Sequence, residues 1–235
     1  MNRKRSPLAI IFITIFIDLV GFGIVIPVLP LYAKEFQASE TVIGLLLGVF
    51  SAMQFIFAPI LGKLSDRVGR RPVLMFSLIG TSIGFLTMGL ANALWMLFLG
   101  RIIDGITGGN ISTAQAYIAD VTPPDERSKG MGLIGAAFGL GFIVGPAIGG
   151  VMSHISPAAP FYFAAALAAA NATALYFLLP ESLSADSRNR AQSRPSIIKF
   201  VSETGGWQLR AAMTTYFFAT VAFAMLTATF ALFTN

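Results

Sequence analysis

Three ionisable residues lie inside long runs of apolar side chains: Asp18 within Leu8–Tyr32, and Arg101 and Asp104 within Leu94–Ile118. A charge at membrane depth costs roughly 2.5–3.5 kcal/mol on insertion scales, so a chain that keeps one there uses it to pair, to relay or to bind. Arg101 and Asp104 are three positions apart, on one face of a helix, where they can neutralise each other. Pairing that merely fixes helix packing is the plain alternative to a functional role. Asp18 has no opposite charge in its own run, which makes its carboxyl the better candidate for a group that gains and loses a proton. Polar side chains continue past Asp104 as Asn110, Ser112, Thr113 and Gln115, with Gln54, Asn171 and Thr173 in other runs. Gln54, Asn110, Thr113, Gln115 and Asn171 are candidates to contact a small molecule. Hydrogen bonding between helices is the equal alternative for each, since Asn110, Thr113 and Gln115 cannot share one narrow face.

The same inventory removes other chemistries. There is no cysteine, so disulfide frameworks, thiolate catalysis and thiolate-ligated metals are excluded. The one histidine, His154, lies in a short polar interval and reads as a solvated loop residue, leaving no base for a serine nucleophile and no metal site. Asp18 and Asp104 are the only acid pair within apolar runs, and an intramembrane aspartyl protease is the single enzymatic reading they leave. The expectation is no enzyme, no metal and no cofactor.

The elements that must position these groups are membrane helices. Of the 235 residues, 55% are hydrophobic and 11% charged, against about 25% charged in soluble domains. About 20 residues at about 1.5 Å rise cross a hydrocarbon core of about 30 Å. Seven runs qualify: Leu8–Tyr32, Val42–Leu61, Pro72–Leu90, Leu94–Ile118, Met131–Met152, Phe161–Leu179 and Ala211–Phe233. The first is too long for a signal peptide and ends in Pro27-Val28-Leu29-Pro30 rather than a small-residue cleavage site. Fourteen of the sixteen Lys and Arg fall at the N-terminus or in alternate connections; the others are Lys34 and Arg101. Positive residues stay cytoplasmic, so the net charge of +5 is a topology signal with anionic lipid as neighbour, not a nucleic-acid footprint. With the N-terminus inside, Asp18 lies about 15 Å from the cytoplasmic edge, and Arg101 and Asp104 about 10 and 15 Å from the outer edge. All three converge near the midplane. Residues 1–183 read as a six-helix half-domain, 184–210 as a cytoplasmic linker and 211–235 as a seventh helix. Within the polar stretch Glu181–Arg210, Ile197–Val201 reads either as an interfacial helix or as loosely ordered chain.

Four motifs carry a resemblance. The first is Gly62-Lys63-Leu64-Ser65-Asp66-Arg67-Val68-Gly69-Arg70-Arg71-Pro72, read as a tight cytoplasmic turn in which Gly62 and Gly69 allow close approach or positive φ and Pro72 suits a helix start. The others are Asp18-Leu19-Val20-Gly21-Phe22-Gly23 with Pro27 and Pro30, Leu99-Gly100-Arg101-Ile102-Ile103-Asp104-Gly105, and Gly139–Gly150. In this order they resemble the signature loop and the first-, fourth- and fifth-helix motifs of the major facilitator superfamily, drug:proton antiporter branch, and within it the bacterial tetracycline:proton efflux proteins. There are two departures. Asp104 stands where the fourth-helix motif commonly has Gln or a small residue. Ser82-Ile83-Gly84-Phe85 lacks the third-helix acid of tetracycline pumps, so a broader drug or metabolite range is implied.

The resemblance implies an all-α fold of two inverted three-helix repeats, proton-coupled antiport by alternating access, and location in a bacterial inner membrane. Together with the midplane charges it points to proton coupling by Asp18, Arg101 and Asp104, and it implies a conformational-switch loop formed by Gly62, Asp66, Arg67, Gly69, Arg70 and Arg71. It also implies an antiporter-motif helix bearing Gly141, Gly145, Pro146, Gly149 and Gly150. Gly141, Gly145 and Gly149 form one smooth stripe, and Gly44, Gly48 and Ala52 another. Packing within the bundle explains these stripes, but the resemblance favours sliding surfaces against a second half, with Pro146 bending its helix. An internal echo supports repeats: Asp66 with Arg70 after the second run, and Asp120 with Pro123-Pro124-Asp125-Glu126-Arg127 after the fourth. The family has twelve helices, so the expected partners are a small-molecule substrate, protons, membrane lipids and a second six-helix half, from a separate chain or by self-association. A non-transporting receptor that retains the fold, or an inactive fragment, is the alternative.

Overall fold

The computed structural model describes residues 7–183 and, beyond them, Gly206, Trp207, Ala211, Thr214, Thr215 and Phe218. The chain divides into two compact units, Met1–Gln192 and Ser193–Asn235. The interfacial helix and nearly all of the expected linker and of the seventh span lie outside the described residues.

The first unit is all helix: α1 (Pro7–Glu35), α2 (Glu40–Val68), α3 (Arg70–Gly89), α4 (Leu94–Thr107), α5 (Asn110–Val121), α6 (Arg127–Ser153) and α7 (Ala159–Leu178). Five of these are long and apolar enough to cross a membrane alone. The outer surface agrees with immersion in lipid, since Phe55, Ile143 and Phe177 are 83%, 72% and 75% exposed. Water would disfavour such a surface; hydrocarbon does not.

The fourth expected span is not one helix. It breaks at Gly108-Gly109 into α4 and α5, 14 and 12 residues long. Consecutive glycines give the poorest helix propensity available apart from proline. Gly108 has ψ 36° and Gly109 ψ 7°, and the carbonyl of Gly108 accepts from the Gln54 side chain at 3.2 Å instead of from its own helix. Thr113 resumes the ladder by donating its backbone N–H to Gly109 O at 3.1 Å. Irregular backbone survives at membrane depth only when protein satisfies it, and Gln54 supplies that partner.

The second correction concerns the switch loop. Gly62 to Val68 are helical, extending α2 seven residues past the expected span, and Gly62 meets no neighbouring atom where a Cβ would stand. The whole reversal into α3 is made by Gly69, at φ 123° and ψ 157°. That backbone region is open to glycine at little steric cost and strained for other residues.

The described spans obey an exchange symmetry. Counting α4 with α5 as the fourth span, the first packs on the fifth (α1 on α6) as the second does on the fourth. The third packs on the fourth as the sixth does on the first, and the third and sixth pack on each other. Swapping spans 1–3 for spans 4–6 preserves this set, the signature of two inverted three-helix repeats. Two apolar cores fill the bundle. One is built around Ile24, Leu29, Leu46, Met88 and Phe161, the other around Ile11, Ile15, Leu74, Leu78 and Tyr117. Between them lies a polar layer.

Candidate functional site

That layer encloses a cavity of about 150 Å³ whose polar wall is Asp18, Gln54, Thr81, Asp104 and Asn110. Its apolar wall is aromatic: Phe22, Phe50, Phe85 and Phe138. Phe22 lies against Phe50 at 5.4 Å between ring centroids and against Phe142 at 5.9 Å. Asp18 is brought by the midpoint of α1, Asp104 by the last turn of α4, and Asn110 by the first residue of α5. The break between α4 and α5 therefore sits at the cavity wall. It turns two half-helix ends and the Asn110 amide toward the space that an unbroken helix would seal.

The pair that the three-residue spacing allows is formed. Arg101 Nη1 bonds Asp104 Oδ2 at 3.5 Å, both side chains being almost wholly buried. The guanidinium also stands over the Phe50 ring, 4.2 Å from its centroid, which satisfies part of the cation without a hydrogen bond. Its Nε remains buried without a partner. Asp18 takes its bond from the Asn110 side-chain amide through Oδ2, and its Oδ1 has no hydrogen-bond partner. The cavity thus holds two carboxyl groups, with the Arg101 guanidinium against the wall residues Asp104 and Phe50 and unused hydrogen-bonding capacity on Asp18 and Arg101.

The remaining expected contacts divide. Gln54 and Asn110 line the cavity. Thr113 is buried but donates to Gly109 O of its own turn at 2.8 Å, and Gln115 is exposed away from the cavity. Asn171 donates to Thr14 O at 2.8 Å and ties α7 to α1. Sequence reasoning passed over Thr81 and the four rings; a hydroxyl in an apolar run was the available signal for the first.

The basic turn builds a second charged centre. Arg70 bonds Asp66 at 2.6 Å, Asp120 at 3.0 Å and the Ser65 hydroxyl at 2.6 Å. Asp66 and Asp120, the two members of the internal echo, thus meet at one guanidinium. Glu181, unrecognised in the sequence, accepts the backbone N–H groups of Arg70 and Arg71 at 2.9 and 3.2 Å, an anion on the positive end of α3. Tyr117 closes the cluster by donating to Pro180 O at 3.0 Å, and Ser182 donates to Asp120 at 3.1 Å. Arg67 is exposed.

The α6 stripe corrects the sliding-surface expectation. A Cβ on Gly145 would lie 2.7 Å from Gly23 Cα, and one on Gly141 2.7 Å from Leu19 Cβ. Gly149 faces Ile24 and Val28, and Pro146 packs beside Gly23. The glycines let α1 and α6 touch backbone to backbone inside the bundle. Gly44 and Gly48 on α2 and Gly150 on α6 meet no neighbouring atom.

Inverted three-helix repeats around a charged midplane cavity, bounded by an interrupted helix, define the architecture of secondary transporters. The Major Facilitator Superfamily profile matches residues 11–235, and the chain belongs to that superfamily. It is 51% identical over 154 residues to tetracycline resistance protein, class B, of Escherichia coli, covering 64% of this chain and 38% of that protein. To the class C protein of Escherichia coli it is 39% identical over 219 residues, covering 92% and 55%. To multidrug resistance protein 2 of Bacillus subtilis (strain 168) it is 34% identical over 204 residues, covering 86% and 51%. The chain spans about half the length of the curated relatives it matches. Among solved structures, the human organic anion transporter MFSD10 aligns with TM-score 0.71 at 28% identity, covering 80% of this chain and 50% of that one. The chain is a multi-pass integral membrane protein.

Proposed function

We propose that residues 1–183 form the N-terminal half of a proton-coupled antiporter that exports amphipathic drugs or related small organic molecules by alternating access. The observation that carries this reading is the cavity that gathers Asp18, Asp104 and Asn110 at the break in the fourth span. Relatives named for tetracycline and multidrug resistance support the substrate class. Asp18 is the proton carrier: its bond to Asn110 uses one oxygen and leaves the other for a proton or a cationic substrate. Arg101 keeps at least one of the two carboxyl groups ionised in the empty cavity. The aromatic wall takes the apolar part of the substrate, and a second six-helix half, reached through the 184–210 linker and the seventh helix, closes the site. The N-terminus and the Arg70 cluster face the cytoplasm of a bacterial cell, on the strength of the Lys and Arg asymmetry.

The test is substrate-dependent proton movement in proteoliposomes, comparing the 235-residue chain with the same chain joined to the second half of a tetracycline-class relative. Substrate export coupled to proton entry is expected of the joined protein alone. Export without proton movement would refute coupling, and transport by a demonstrated monomer of the 235 residues would refute the half-transporter reading.

A further inference from the structure

On the lipid-facing side of α3 and α7 lies a groove of about 360 Å³, away from the midplane cavity. Its walls are Met75, Ile79 and Ile83 from α3 and Ala169, Ala172 and Tyr176 from the antiparallel α7. Three hydroxyls border it: Ser82 donates to Ala165 O and Thr173 to Ala169 O, each at 2.8 Å, and the third is the Tyr176 phenol at the Arg71 end. The rest of the lining is hydrocarbon, a surface suited to an acyl chain. From Met75 to Ile83 it runs about 12 Å along α3, enough for a substantial part of one acyl chain.

One end of the groove is charged. Arg71 stands one helical turn before Met75, its guanidinium 5.2 Å from the centroid of the Tyr176 ring and donating to Tyr176 O. Arg70 beside it is consumed by Asp66 and Asp120. Among the described residues no carboxylate lies within ion-pair range of the Arg71 side chain, and its Nε has no partner. A guanidinium carries five N–H donors in a planar fork suited to phosphate, and among the described residues only Tyr176 O takes one of them.

We infer that Arg71 and the α3–α7 groove form a retained site for one anionic phospholipid, with its phosphate on the Arg71 guanidinium beside the Tyr176 ring and one acyl chain lying in the groove. The charge complementarity and the dry channel leading from it distinguish this site from ordinary lipid cover, which needs no fixed cation. The inference is independent of the transport reading, since it concerns the outer face of the bundle.

Native mass spectrometry of the delipidated full chain, titrated with phosphatidylglycerol or phosphatidylcholine of matched acyl chains, tests it. One phosphatidylglycerol should be retained about fivefold better than phosphatidylcholine, whose choline cation offsets the phosphate charge; this is the scale of one basic side chain beside anionic lipid. Arg71→Gln should erase that preference. Ala169→Leu, which fills the groove and leaves the charge, should weaken retention of both lipids, and soluble glycerophosphate should fail to compete. Equal retention of the two lipids by the unmodified chain would overturn the proposal. So would an undiminished preference in Arg71→Gln, undiminished retention in Ala169→Leu, or competition by glycerophosphate. Should Arg71→Gln fail to fold, the groove variant and the glycerophosphate competition still decide.

Discussion

Two buried arginines organise this molecule, and they are provided for in opposite ways. Arg70 has two carboxylates, at 2.6 and 3.0 Å, and a hydroxyl at 2.6 Å, while its backbone N–H is held by Glu181. Arg101 has one carboxylate at 3.5 Å, an aromatic face and an unpartnered Nε. Saturated networks hold a single arrangement, whereas a buried charge with spare donors has low-cost alternatives close by. The Arg70 centre clamps α2, α3 and α5 to the chain after α7. The Arg101 centre sits where a proton or a substrate would have to change the balance of charge. The contrast teaches that charge at membrane depth is not one signal: how completely each group is bonded separates scaffold from candidate machinery.

Several substitutions would break or sharpen this contrast. Asp18→Asn should reduce gradient-driven uptake into inverted vesicles to background in the protein completed by a second half, with insertion unchanged. Full uptake by that variant would remove the midplane carboxyl from the coupling reaction. Arg70→Ala strands Asp66 and Asp120 and should cost about 3 kcal/mol, the low end for a broken buried pair because both acids keep some solvent exposure. Denaturation in detergent reads the loss, and a larger loss from Arg101→Ala would reverse the ranking of the two centres. Gly145→Ala should destabilise by roughly 1–3 kcal/mol, since its methyl group would meet the Gly23 backbone. Gly48→Ala should stay within about 0.5 kcal/mol. Equal effects at the two glycines would mean that α1 and α6 do not touch backbone to backbone. Arg101→Lys keeps the charge and loses the planar fork, so transport should fall about tenfold, or ~1.4 kcal/mol in the barrier. Unchanged transport would show that a point charge suffices. Tyr117→Phe should cost about 1 kcal/mol of stability from the lost bond to Pro180 O, with transport intact.

Much of this architecture was legible in the sequence because membrane insertion writes itself into composition. Six of the seven expected spans have helical counterparts among the described residues, with the motif charges in them. What sequence did not reveal lies perpendicular to hydropathy. The i,i+3 spacing offered the Arg101–Asp104 pair, but counting residues from a span end sets depth and says nothing of azimuth between helices, so the bond of Asp18 to Asn110 could not be chosen. The Gly108-Gly109 break is invisible to an apolar average, for glycine neither lowers hydropathy much nor carries charge. A glycine stripe likewise shows that something comes close without showing what; Gly145 meets α1, whereas Gly48 meets nothing. Glu181 was hidden for a different reason. Its role depends on a contact across 111 positions, and no local pattern encodes that distance.

That separation bears on biosynthesis. Asp66 lies four residues before Arg70, but Asp120 follows by 50 positions and Glu181 by 111. At about 5–20 residues per second of synthesis, Arg70 waits roughly 6–22 s for its last ligand. Its guanidinium has only Asp66 beside it until Asp120 is made, roughly 2.5–10 s later, and in that interval it acts as a basic residue that orients spans at the translocon, where nearby acids count for little. On the proposed topology the same guanidinium first tells the nascent chain which way to thread and is then neutralised by Asp120, before the sixth span delivers Glu181 to the backbone N–H groups that begin α3. A ribosome halted before Glu181 would release a chain whose orientation is already decided and whose α3 N-terminus still lacks its carboxylate.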